Sequence, residues 1–117
     1  MSAVWNSNWF QQEFYPKEYW SKQVHLSEMS VSMDRYNIRD SIIELKKLQL
    51  TASLQIEQEV NFAKSFDLSA AEAAKEAAEM IEMEAQYLRE DISFWEEDLS
   101  QDEEKLKTAQ NLLSRYE

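Results

Sequence analysis

From Ala71 onward the chain places an apolar residue at alternating steps of three and four. The series is Ala71, Ala74, Ala78, Ile81, Ala85, Leu88, Ile92, Trp95, Leu99, Leu106, Ala109, Leu113 and Tyr116, with Asp102 as the one polar interruption. A repeat of this period puts one narrow apolar seam along a long helix, the pattern of a coiled coil. The S-x-x-E sequence SAAE at 69–72 reads as a capping box, in which Ser and Glu satisfy the first free backbone amides reciprocally. A second such box, SQDE at 100–103, lies inside the seam, but no Gly or Pro accompanies it and the phase runs through undisturbed. The pattern therefore predicts one helix over about 69–116.

Upstream, Ile38, Ile42, Leu45, Ala52, Ile56, Val60 and Ala63 stand at helical spacing with Gln49 as the gap, and Ile43, Leu48, Leu50, Leu54 and Phe62 widen the stripe. This predicts a helix over about 27–65. Only the FDLS segment at 66–69 separates the two stripes, so the helices should be antiparallel neighbours. The expected fold is all-α: a long antiparallel, coiled-coil-like hairpin over 27–117 and an aromatic helical arm over 1–26, together one domain.

With the turn at 66–69, facing residues have numbers that add to roughly 135, a register that tests itself on charge. Lys75 meets Glu59, Arg89 meets Glu44 and Lys105 meets Glu28; Lys64, Lys46 and Arg39 meet Glu72, Glu90 and Glu96. Size also alternates, with Ala85 opposite Leu50, Ala78 opposite Ile56 and Ala74 opposite Val60. A parallel homodimer through the last helix would instead set Asp91 against Glu96 and Asp98 against Glu103, like against like. Two helices leave a second stripe on the far side of the last one, Met80, Met83, Tyr87 and Phe94, and a similar line at Tyr36, Ile43 and Leu50. These need a third layer, from the N-terminal segment or from another chain.

Composition agrees with helices. The 117 residues include no glycine and one proline, Pro16, which removes most tight-turn chemistry. Cysteine is absent as well, excluding disulfides and thiolate metal sites. No run of apolar residues is long enough to span a membrane, and residues 1–20 lack the basic and aliphatic regions of a secretory signal, so a cytoplasmic or virion-associated protein is expected.

The net charge of -11 is concentrated: residues 67–117 hold fifteen acids against five bases. Direct binding of nucleic acid is disfavoured, since it depends on Lys and Arg neutralising phosphates. A basic partner is favoured instead. The acids that would meet it are Glu79, Glu82, Glu84, Glu90, Asp91, Glu96, Glu97, Asp98, Asp102, Glu103 and Glu104.

The stretch VWNSNWFQQEFYPKEYW at 4–20 contains seven of the fourteen aromatic residues of the chain. Trp5 with Trp9, Phe10 with Phe14 and Tyr15 with Tyr19 are spaced four apart, so a short helix to Tyr15, restarted with Pro16 in its first turn, bundles rings on one face. Those rings either cap the open end of the hairpin beside Trp95, Leu106 and Leu113 or dock a partner through Trp5, Trp9, Phe10, Phe14, Tyr19 and Trp20, since Trp and Tyr dominate interface hot spots.

Catalytic chemistry has little footing. The single histidine, His25, has no second histidine with which to build a bundle metal site, and a chain without glycine has no phosphate-cradling loop. The carboxylates read as a solvated face. No catalytic, cofactor or metal site is expected. The sequence points to a non-enzymatic interaction or assembly protein, a subunit or adapter of a larger complex such as a phage or virus particle, able to self-associate through arm and outer stripe. The alternative is a small acidic inhibitor that fills a basic groove of a host or defence protein.

Overall fold

The structure, a computed structural model, describes residues 8–117. It contains three helices, α1 (Asn8–Phe14), α2 (Pro16–Lys64) and α3 (Leu68–Ser114), and no strand among the described residues. The two long helices pack against each other as a helical hairpin. The chain divides into two compact units, one of residues 37–95 with the turn, the other formed by the segments before and after it.

α3 follows its heptad closely. All thirteen seam positions from Ala71 to Leu113 are buried or half-buried, Asp102 included, and the helix passes through Ser100 without a break. Its cap differs from the expected one. The Ala70 N–H donates to Oδ1 of Asp67 at 3.2 Å, so Asp67 is the N-cap and Ser69 lies inside the first turn. An aspartate directly ahead of Leu68 reaches the third amide of the helix before Ser69 is in position to cap anything.

α2 ends in a left-handed residue. Phe66 has φ 61°, its N–H donates to the Ala63 carbonyl at 3.1 Å, and the Asp67 N–H donates to the Phe62 carbonyl at 2.9 Å. This is the Schellman pairing that usually employs glycine. A chain with no glycine forms it with a phenylalanine whose side chain is 88% exposed.

Two expectations for the seam fail. The α2 stripe turns inward at Ile38, Ile42, Leu45 and Ala52 as expected, but Leu48, Gln55 and Glu59 are the half-buried residues that continue it, while Ile56, Val60 and Ala63 are exposed. From Leu45 the steps alternate three and four, whereas the apolar residues drift round the helix. One neighbour covers only a narrow strip, so the rest of a broad apolar face stays in water. The alternation of small and large residues fails for the same reason: Ala74, Ala78 and Ala85 are buried, but Leu50, Ile56 and Val60, their expected counterparts, are exposed. The core of the 37–95 unit rests on alanines.

None of the six expected ion pairs forms among the described residues. Those present are Arg35 with Glu103 at 3.6 Å, Lys47 with Glu44 at 3.4 Å and Arg89 with Glu82 at 2.7 Å. Exposed pairs are worth only ~0–1 kcal/mol, too little to hold long side chains to one partner.

Candidate functional site

Pro16 divides the aromatic segment. Having no N–H, it cannot continue the bonding of α1, and it opens α2 instead, so there is no helix boundary at residue 26. Trp5 lies outside the described residues. On α1, Trp9 and Phe14 are 64% and 61% exposed, while Phe10 is half-buried, with ring centroids 4.8 Å from Phe14 and 6.2 Å from Tyr15. Tyr19 and Trp20 belong to α2, are half-buried, and meet edge to face at 4.9 Å. Trp20 also lines an open groove of about 660 Å³ with Gln23, Ser27, Glu104 and Thr108. The five described rings of the six expected to act as one arm are thus shared between two helices, and two of them, Tyr19 and Trp20, are built into the hairpin.

Within the 37–95 unit, Met80, Met83, Tyr87 and Phe94 are 60–66% exposed and lie along one side of α3. The Phe94 and Trp95 rings meet edge to face, with centroids 5.1 Å apart. Ile43, Leu50 and Leu54 form an exposed line on α2 in the same unit. Tyr87 overhangs a shallow cleft of about 310 Å³ with Leu48, Leu88, Glu44 and Glu84. Carboxylates fringe the stripe: Glu79, Glu82, Glu84, Glu90 and Asp91 are exposed around it, and Arg89 is held by Glu82.

The remaining acids fall into two groups. Glu96, Glu97, Glu103 and Glu104 are exposed, with Glu103 paired to Arg35. Asp98 and Asp102, one turn apart on α3, are half-buried and face Asp34 of α2. The ligand oxygens of the three carboxyls all lie within 4.8 Å of one another. Asp34 is 3% exposed, and its Oδ2 has no hydrogen-bond partner. Burial first, then hydrogen bonding to Asp102 and Asp98 and the repulsion of their charges, push the Asp34 carboxyl up to about 7. Raised this far, the carboxyl keeps its proton well above the ordinary carboxylate range, and as an acid it can donate to either neighbour.

Asp34 is a site residue that apolar spacing alone does not reveal. The available signal was register: Asp102 interrupts the α3 heptad, and residue 34 is its counterpart in a hairpin whose facing numbers add to about 135. Extending the α2 seam back from Ile38 by four residues also arrives at Asp34. Compared with models of protein families, with curated proteins and with solved structures, the chain matches none of them.

Proposed function

We propose that this is a non-enzymatic assembly or adapter protein that works by contact, with the Met80, Met83, Tyr87 and Phe94 side of its hairpin seated in an apolar groove with a basic rim on another protein. The observation that carries the reading is the exposure of all four side chains in the middle of a well-formed helix. Side chains of this size in a continuous row mark an interaction surface far more often than solitary exposed apolar residues do. The fringe of Glu79, Glu84, Glu90 and Asp91 sets the chemistry of the rim it would meet. It also argues against a second copy as the occupant, since every chain carries -11.

An enzymatic role has less support. Among the described residues Asp34 alone has a clearly shifted pKa, and its neighbours are two further carboxyls, Asp98 and Asp102, with no second kind of reactive group in the cluster. An acidic mimic also has less support, because Asp98 and Asp102 turn inward while Glu82 and Glu103 hold arginines.

Affinity capture from cells tests the reading. The wild-type protein should retain a basic protein that a Met83→Glu, Tyr87→Glu variant loses, while a variant with Glu96, Glu97 and Glu104 changed to Gln keeps it. Capture that survives the first variant and disappears with the second would replace this reading with the acidic-groove one.

A further inference from the structure

Asp34 occupies a position that an unpaired carboxylate does not hold without compensation. It is 97% removed from solvent, two more carboxyls converge on it, and one of its oxygens has no donor. Three kinds of positive partner can relieve such a cluster: a basic side chain, a proton or a metal ion.

A basic side chain is not in place. Arg35 is next in sequence, but its guanidinium is directed to Glu103 at 3.6 Å, and no Lys or Arg makes an ion pair with Asp34, Asp98 or Asp102 among the described residues. A proton relieves the cluster only partly, because it neutralises one carboxyl and two further acids remain beside it.

The geometry of the oxygens points to the third partner. Ligands on a sphere of radius r around a cation are at most 2r apart. Calcium–oxygen distances of ~2.3–2.6 Å allow separations up to ~4.6–5.2 Å, whereas magnesium at ~2.0–2.1 Å allows only ~4.2 Å. Three oxygens that lie within 4.8 Å of one another meet the pairwise limit for calcium, and three converging carboxylates exceed the one or two that usually hold magnesium. The donor set is entirely oxygen, which selects a hard cation over zinc or copper. Asp98 and Asp102 are only half-buried, which leaves an open side for the waters that complete a coordination number of six or more.

We propose that Asp34, Asp98 and Asp102 bind one divalent cation of the calcium class, which ties the first half of α2 to the end of α3. The site is independent of the docking stripe, which lies in the other unit, so the two ideas stand or fall separately.

Equilibrium dialysis and thermal melts of the full chain test the proposal, after chelation and transfer to 0.15 M KCl at pH 7.5, where diffuse attraction to surface acids is screened. Added CaCl2 should bind at one ion per chain and raise the melting temperature to a plateau, with MgCl2 weaker. Asp98→Asn and Asp102→Asn should each weaken binding by about tenfold or more, because affinity at oxygen sites follows the number of charged ligands. Asp34→Asn should do the same, and circular dichroism establishes that each variant is folded; if Asp34→Asn is not, the two α3 variants decide the matter. A Glu96→Gln, Glu97→Gln variant should bind like the wild type. No stoichiometric calcium binding overturns the proposal. So does binding that the Asn variants leave unchanged, or that the Gln variant reduces equally.

Discussion

Asp34 of α2, buried at 3% exposure, faces Asp102 of α3, the one polar residue in that helix's heptad from Ala71 to Leu113. Each marks the place where its helix gives up an apolar seam residue, and the two places coincide. The consequence is a stability that depends on pH with an unusual sign. Asp34 titrates at about 7 in the folded chain against 3.8 as an ordinary carboxyl. Between those values the folded state holds a proton that the unfolded state has lost, so stability is fully present below about pH 4 and declines as pH rises to 7. The loss from this group is on the order of 4 kcal/mol. Urea melts in chelator at pH 4.5, 6, 7 and 8 should show the decline, and Asp34→Asn should be flatter than wild type over the range and more stable at pH 8. Equal slopes in the two proteins would remove Asp34 as the cause.

The seam of the 37–95 unit gives a contrast between residues that look alike in sequence. Ala85 is 1% exposed, while Leu50 is 66% exposed. Ala85→Leu should destabilise by ~1–3 kcal/mol through overpacking, and Leu50→Ala by less than ~1 kcal/mol, as expected for a surface change. Denaturation midpoints of both variants check this, and a larger loss from Leu50→Ala would restore the packing expected from the sequence.

These cases show what a single sequence displays and what it conceals. The α3 heptad was legible because its apolar positions coincide with its inward ones; the antiparallel hairpin followed from the short gap at 66–69. The second half of the α2 seam was hidden because apolar residues occupy several sides of the helix there, and hydrophobicity does not say which side a lone neighbour will cover. Gln55 and Glu59 turn inward while Ile56 and Val60 do not, a choice made by the geometry of the pair. Asp34 was concealed for a related reason. A search for apolar spacing passes over an acid at a seam position, and only the partner helix shows that the position is in the seam.

The turn offers a gain in stability. Phe66, at φ 61°, holds a conformation that costs a non-glycine residue about 1–2 kcal/mol, and its exposed ring contributes little packing to offset that. Phe66→Gly should therefore stabilise by ~0.5–1 kcal/mol after the extra entropy of glycine in the unfolded chain is counted. Phe66→Val should do the opposite, because a branched Cβ tolerates the left-handed region worst. A rise in melting temperature for Val with a fall for Gly would contradict the assignment of this residue.

At the start of α3, two neighbouring polar residues are candidate caps, and only one is bonded. Asp67→Ala should cost ~1 kcal/mol because the Ala70 amide loses its acceptor. Ser69→Ala should be close to neutral, since serine inside the first turn gives way to a better helix former. Thermal melts of the two single variants distinguish the caps, and the reverse ranking would reinstate the box at 69–72.

Replacing Met83 and Tyr87 separates folding from contact. Both are more than 60% exposed, so changing them to Glu removes little buried area, and stability should stay within ~0.5 kcal/mol of wild type. Added acid among Glu79, Glu82, Glu84, Glu90 and Asp91 sets the limit on this, because like charges a turn apart cost a few tenths of a kcal/mol each. The variant should nevertheless lose most of the wild-type protein's binding of a dye such as anilinonaphthalene sulfonate. A Met29→Glu, Met33→Glu variant, altered at exposed methionines of the other unit, should keep that binding. Equal loss in both variants would mean that apolar character is spread along the hairpin, and the row from Met80 to Phe94 would have no special claim as the contact surface.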